Sequence, residues 1–170
     1  AISKDVVQVT VNAAPNQAPV ANAGPDLVIA LPTDATILNG AGTDSDGTIT
    51  SYKWIKITGP AAGVVVSPNA PSTTISGLVQ GIYHYQLMVT DNDGLVSKDT
   101  VSVTVNAAAN QAPIANAGAD IVITLPFNST TLSGTGTDPD GTIAGYSWVQ
   151  IAGPVPGTIT SPNSGITAIN

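Results

Sequence analysis

The chain has 170 residues and a formal net charge of −7, and its 11 acidic residues are all Asp, with 4 Lys and neither Glu, Arg nor Cys. This sparse acidic charge is not attracted to nucleic acid or anionic lipid, so we expect neither partner. The lack of Cys excludes a disulfide framework and fits a bacterial exterior. The sequence contains no run of about 18 apolar residues, so we expect no membrane insertion.

Short runs of alternating apolar and polar residues follow one another along the chain, separated by Gly, Pro, Asn and Asp. This period of two predicts half-buried strands rather than helices. Asp46-Gly47 and Asp93-Gly94 predict tight turns between long strands. Seven or eight short strands in about 90 residues predict an all-β, immunoglobulin-like antiparallel sandwich. The predicted strands are 19–22, 26–31, 36–41, 48–57, 64–66, 72–76, 81–90 and 95–105.

The sequence repeats itself without gaps at an offset of 94 residues, so that Asn16-Gln-Ala-Pro19 returns as Asn110-Gln-Ala-Pro113. Ser3-Lys-Asp5 matches Ser97-Lys-Asp99 at the same offset. Such self-similarity is typical of tandem domains. It predicts three pieces: residues 1–12 as the last strand of a preceding domain, 16–106 as a complete domain, and 110–170 as a following domain that lacks its last two strands.

Strand parity predicts one core face. Trp54 could serve as a sugar-stacking platform, but a lone Trp in a central strand is more often the largest side chain of the core, and Tyr52 shares its side. His84 and Met88 fall on the outward side, and no nucleophile or carboxylate neighbours His84 in sequence. The predicted core comprises Ile29, Leu31, Leu38, Ile49, Trp54, Tyr83, Tyr85, Leu87, Val89, Val101, Val103 and Val105.

One motif carries candidate metal ligands: Asp44-Ser-Asp46-Gly47, which returns as Asp138-Pro-Asp140-Gly141. Two carboxylates two residues apart in a Gly-ended turn can point at one centre, and calcium takes about six to eight oxygen ligands. The alternative is that the motif is only a good turn, with the first Asp accepting backbone N–H bonds. Both interpretations stay open from the sequence.

Several ordered landmarks together resemble the bacterial PKD (polycystic kidney disease) repeat. After Trp54 the chain continues to Gly59-Pro60 rather than through the acidic turn of the best-known form, which resembles the PKD/chitinase subtype. The landmarks are Asn16-Gln-Ala-Pro19, Ala23-Gly24, Asp44-Ser-Asp-Gly-Thr-Ile49, Tyr52-Lys-Trp54, Gly81-Ile-Tyr83, Val89-Thr-Asp-Asn-Asp-Gly94 and Val101-Ser-Val-Thr-Val105.

The resemblance implies an extracellular, cell-surface or secreted module that is not an enzyme. Close tandem copies favour the stalk of a large bacterial surface adhesin, and the alternative is an accessory binding or spacer module of a secreted hydrolase. Its implied partners are neighbouring repeats of the same chain, with other surface proteins or polysaccharide as further candidates. Similarity to collagenase PKD-like domains further implies that the chain before the first strand helps to bind calcium, which adds Asn16, Gln17, Asn110 and Gln111 to the ligand set.

Overall fold

The computed structural model describes all residues, Ala1–Asn170, and contains strands but no helix. No helix is therefore long and apolar enough to cross a membrane. The chain forms two compact units, Ala1–Ala108 and Ala109–Asn170.

Nine strands make up the first unit, and their positions follow the predicted runs closely. They are β1 (Val20–Asn22), β2 (Leu27–Ala30), β3 (Thr36–Asn39), β4 (Ala41–Thr43), β5 (Ile49–Thr58), β6 (Val64–Val65), β7 (Ser72–Ser76), β8 (Gly81–Asp91) and β9 (Val96–Asn106).

These strands form a four-stranded sheet in the order β2-β9-β8-β5 and a three-stranded sheet in the order β3-β7-β6, with β1 and β4 paired separately. All pairs are antiparallel except β2 and β9, which run parallel. The predicted immunoglobulin-like β-sandwich is confirmed.

The predicted single strand 36–41 is wrong in one respect, because it divides at Gly40 into β3, which pairs with β7, and β4, which pairs with β1. A Cβ at Gly40 would lie 2.6 Å from Leu87 Cδ2 and 2.7 Å from Trp54 Cζ2. The chain thus changes sheets at a point where only a hydrogen fits against the core.

The core lies between the two sheets. It contains the inward-facing residues predicted for β8 and β9. Trp54 is 2% exposed, and its Nε1 donates to Pro71 O at 3.1 Å. Tyr52 packs against the same cluster, as predicted, together with partly buried Ile29, Leu31 and Ile49. The sequence did not identify three further core residues, namely Ala23, Ile75 and Leu78.

Residues 1–19 form no strand, and the large apolar side chains of the first twelve residues are exposed, including Ile2, Val6 and Val11. Strand hydrogen bonds need a neighbouring strand, and none of the described residues supplies one for this segment. The assignment of residues 1–12 to a preceding domain stays a prediction.

The second unit repeats part of this pattern. Here β10 (Ile114–Asn116) pairs with β12 (Thr135–Thr137), and β11 (Thr130–Ser133) pairs with β13 (Ile166–Ile169), in the registers of β1-β4 and β3-β7. The counterparts of β2 and β5, residues 121–124 and 143–152, form no strands. In the first unit those strands pair with β9 and β8, and no strand of the second unit takes the place of these partners.

Candidate functional site

The Asp44–Gly47 turn joins β4 to β5 at one end of the sandwich. The Asp46 backbone N–H donates to Asp44 Oδ1 at 3.3 Å, which is the hydrogen bond that the turn interpretation predicts. The other oxygen, Asp44 Oδ2, is buried and has no hydrogen-bond partner. Buried carboxylate oxygens are normally paired, so the turn alone does not account for this atom.

Gly47 allows two side-chain oxygens to approach this turn. A Cβ at Gly47 would lie 2.3 Å from Asn92 Oδ1 and 2.7 Å from Asp44 Oδ2. Asn92 Oδ1 also accepts the Thr48 backbone N–H at 2.7 Å. The missing Cβ therefore leaves one small space into which a carboxylate oxygen and an amide oxygen both point.

The segment before β1 is held against the same turn. The Gln17 backbone N–H donates to Asp46 Oδ2 at 3.1 Å, so the main chain of Gln17 makes the contact. The Asn16 side chain donates from Nδ2 to Asp91 Oδ2 at 3.0 Å. Asn16, Gln17, Asp44 and Asp46 are thus brought to one end of the sandwich.

Asp91 ends β8 and is 2% exposed. Burial raises the pKa of this carboxyl, but hydrogen bonds from Asn16 and from the backbone N–H groups of Leu95 and Asp93 outweigh burial and hold the pKa below its ordinary value. Asp91 is therefore an ionised carboxylate at neutral pH, and it fixes the β8–β9 turn and the segment before β1 together.

The second unit reproduces the arrangement at its own turn. The Gln111 N–H donates to Asp140 Oδ2 at 3.0 Å, and the Asp140 N–H donates to Asp138 Oδ1 at 3.3 Å. A Cβ at Gly141 would lie 2.8 Å from Asp138 Oδ2. Asn110 differs from Asn16, because it donates from Nδ2 to Gln111 O at 3.0 Å within its own segment. The anchoring of the linker to the turn is a property of the repeat.

Asp91 and Asn92 were not among the sequence-predicted site residues. The signal was present in Asp91-Asn-Asp-Gly94, an acidic and amide-rich turn like the first one, but it was interpreted only as a hairpin. Strand order brings the two turns together, because β5 pairs with β8 so that Ile49 lies opposite Asp91.

These oxygens form a modest ligand set. No group of three or more His, Cys, Asp or Glu side chains is placed to hold a metal ion. The unpartnered Asp44 Oδ2, the Gly47 space and the all-oxygen chemistry nevertheless fit a hard cation such as calcium, which accepts carboxylate, amide and carbonyl oxygens alike.

His84 lies outside this site, on the outward side of β8. Its Nδ1 is 2.8 Å from Thr58 Oγ1, and no carboxylate or second nucleophile is bonded to the ring. The pair lacks the orienting carboxylate of a hydrolytic triad.

Comparison with known proteins gives the family. The model of the K319L-like PKD domain matches residues 23–105 and again 117–170, starting 94 positions later. The mouse "Dyslexia-associated protein KIAA0319 homolog" is 40% identical over 148 residues, which are 87% of this chain and 14% of that protein. "Chitinase A" of Pseudoalteromonas piscicida is 33% identical over 142 residues, 79% of this chain and 16% of that protein.

A solved structure, "Solution structure of the PKD domain from KIAA 1837 protein", is 33% identical with a TM-score of 0.50, and the match covers 61% of this chain and 98% of that one. The chain thus spans about a seventh of the mouse relative and the whole of a single PKD domain. The PKD resemblance is confirmed, while its chitinase subtype stays a prediction. This chain belongs to the K319L-like PKD domain family.

Proposed function

We propose that the chain is a non-catalytic extracellular spacer, a segment of the stalk of a large bacterial surface adhesin that holds a functional end away from the cell. The observation that carries the proposal is the ungapped 94-residue repeat together with the Gln–Asp anchor of each linker, Gln17 to Asp46 and Gln111 to Asp140. An array in which each repeat fixes its own linker keeps its length reproducible.

The linker between the repeats supports this proposal. Asn106 ends β9 and Ile114 begins β10, and the intervening residues contain Ala and Pro but no Gly. Because Gln111 is bonded to Asp140, the free part of the linker is shorter still. Short linkers that contain Pro and lack Gly favour extended connections over flexible ones.

Small-angle X-ray scattering of proteins with two, four and six repeats tests the spacer. We expect the maximum dimension to grow in proportion to repeat number. Replacing residues 107–110 by Gly-Ser-Gly-Ser serves as a matched control, and it should shorten the mean dimension. A compact particle whose size grows only as the cube root of mass would refute the proposal.

The alternative is an accessory module of a secreted hydrolase, and the similarity to chitinase A favours it. Polysaccharide binding through stacked aromatic rings needs exposed planar side chains. Trp54, Tyr83 and Tyr85 are buried in the first unit, so we expect little retention on insoluble chitin. Retention that is lost on replacing the partly exposed Tyr52 by Ala would establish the accessory role instead.

We further propose that the turn end of each repeat binds calcium. Asp44, Asp46 and Asn92, with oxygens of Asn16 and Gln17, would hold the ion in the first unit, and Asp138, Asp140, Asn110 and Gln111 in the second. The unpartnered Asp44 Oδ2 supports this assignment. The bound ion would supply positive charge that fastens the linker to the sandwich.

Thermal melts with calcium and with chelator test the metal site. We expect calcium to raise the melting temperature of the wild type. At a hundredfold excess over Kd, the unfolding free energy should increase by about 2.7 kcal/mol. The Asp44→Asn, Asp46→Asn double variant should lose this increase. Asp34→Asn, an exposed carboxylate in the β2–β3 connection, is the control and should keep it. Wild-type melts that coincide with and without calcium would leave only the turn interpretation.

A further inference from the structure

The outer face of the four-stranded sheet carries an uncommon row of side chains. Strand register places Lys53 of β5 opposite Met88 of β8, and Met88 opposite Lys98 of β9. Both lysines are exposed. Two strand spacings put their Cα atoms about 10 Å apart, with the Met side chain between them. We refer to Lys53, Met88 and Lys98 as the lysine row.

This row concentrates the cationic charge of an acidic protein. Of the chain's 4 Lys, Lys4 lies in the strandless segment before β1, and the Lys56 ammonium is bonded to the carbonyls of Pro60, Ala61 and Ala62. Lys53 and Lys98 are therefore the exposed ammonium groups of the first sandwich.

The acidic groups of the sandwich point elsewhere. Asp91 is buried at the end of β8, and Asp99 lies on the inner side of β9, where its Oδ2 accepts the Ala23 N–H at 2.8 Å. Asp26 lies at the edge of the sheet and accepts the Ser102 N–H at 2.8 Å. The lysine row thus has no carboxylate among its cross-strand neighbours, so its charge is open to an external anion.

Uncharged side chains surround the row. Ile55, Gln86 and Thr100 occupy the adjacent row on one side, and Ser51, Thr90 and Val96 occupy the other. These rows contain no Trp, Tyr or Arg, the residues that anchor most protein–protein interfaces. Two separated ammonium groups with hydroxyls, one amide and two aliphatic side chains between and beside them match a linear polymer that bears both anionic groups and hydroxyls.

We propose that this face binds an acidic polysaccharide that lies across β5, β8 and β9, with anionic groups at Lys53 and Lys98. Each exposed ion contact is individually weak and salt-sensitive, so a single domain binds with low affinity. A tandem array multiplies such contacts along one polymer. Lys4 stands at the repeat position of Lys98, whereas Ser147 stands at that of Lys53, so the repeats differ in binding strength.

Chromatography of the full chain on resins that carry alginate, heparin or neutral dextran tests the proposal. We expect retention at low ionic strength on at least one acidic resin, loss of retention on adding salt, and none on dextran. Alginate and heparin distinguish carboxylate from sulfate as the recognised group. The Lys53→Ser, Lys98→Ser double variant should bind about tenfold more weakly. The Asn69→Asp, Gln80→Glu double variant changes the net charge by the same amount at exposed positions outside β5, β8 and β9, and it should bind as the wild type does.

Several results would overturn the proposal. Equal retention on dextran, or equal weakening by the control variant and by the lysine double variant, would show that the lysines serve only to keep the protein soluble. Concentration-dependent sedimentation that the lysine double variant abolishes would make a second copy of the chain the occupant. Unchanged thermal melts establish that the variants fold. Scattering dimensions do not depend on the lysine row, so the spacer proposal and this one succeed or fail separately.

Discussion

Asn16 and Asp91 are 75 positions apart in the sequence, and the Asn16 amide donates to Asp91 Oδ2 at 3.0 Å. Asp91 Oδ1 meanwhile accepts the N–H groups of Asp93 and Leu95, each at 2.9 Å. One buried carboxylate therefore fixes both the incoming chain and the turn between the two longest strands. Three donors are thus bonded to a single side chain.

The first prediction concerns acid stability. Because the folded-state pKa of Asp91 lies below its unfolded value of about 4, the ionised carboxylate stabilises the fold fully above that value. This contribution is lost as pH falls through the folded-state pKa. We expect the unfolding free energy of the wild type to fall more steeply below pH ~4 than that of Asp91→Asn, in urea titrations. Asp34→Asn should retain the wild-type slope, and a parallel slope for Asp91→Asn would contradict the assignment.

The second prediction contrasts two stacked tyrosines, whose ring centroids lie 6.2 Å apart. Tyr83 Oη accepts the Val79 N–H and donates to Val79 O. The Tyr85 Oη is buried and has no hydrogen-bond partner. Burial raises the pKa of Tyr85 to about 12. We expect Tyr83→Phe to destabilise by about 1–3 kcal/mol and Tyr85→Phe to be neutral or stabilising. Trp54 fluorescence in a Trp148→Phe background reports the first unit. Equal losses in the two variants would count against this account.

The third prediction concerns the change of sheets at Gly40. A Cβ there would lie 2.9 Å from Pro71 O as well as close to Leu87 and Trp54, so Gly40→Ala should destabilise by at least about 1–3 kcal/mol. Gly145→Ala is the control, since its Cβ would meet nothing within 4 Å. Urea denaturation compares them. A tolerated Gly40→Ala would show that the β3–β4 junction can shift.

The fourth prediction uses a substitution that the repeat itself contains. Lys56 binds three carbonyls of the loop after β5, and its repeat counterpart Gln150 donates from Nε2 to Ala152 O at 3.0 Å and to Val155 O at 3.1 Å. We expect Lys56→Gln to change the unfolding free energy by less than about 1 kcal/mol. Lys56→Met should cost about 1–3 kcal/mol, because it keeps the aliphatic stem but leaves the carbonyls unpaired. Equal stability of the two variants in calorimetry would rule out this role.

Much of the fold could be predicted because the alternation of buried and exposed residues along a strand is visible in the local sequence. The alternation through Tyr83, Tyr85, Leu87 and Val89 is readable in the sequence, and all four are fully buried. The division at Gly40 could not be predicted, because it depends on which distant strand each half pairs with. The sequence of Thr36–Thr43 shows a single run that contains two glycines, Gly40 and Gly42, and nothing in it marks Gly40 as the point of division.

The candidate site likewise has one part that the local sequence indicated and another part that depends on strand pairing. Asp44 and Asp46 were identified from their spacing, since two carboxylates within one turn are a local pattern. Asp91 and Asn92 join them through the β5–β8 register, and the contribution of Gln17 comes from its main chain. The register depends on which distant strands pair, and a main-chain donor does not depend on the side chain that its residue carries.

The parallel pairing of β2 with β9 determines how a tethered repeat responds to tension. The chain enters β2 at its amino end and leaves β9 at its carboxyl end, so forces applied to the two termini draw these neighbouring strands in opposite directions along their common axis. The ladder from Leu27 opposite Val103 to Ala30 opposite Asn106 is then loaded in shear, with Leu31 N–H to Asn106 O at 3.1 Å extending it. Rupture requires these bonds to break together rather than one at a time from an end, and we therefore expect the first unit to resist unfolding when its two ends are pulled apart.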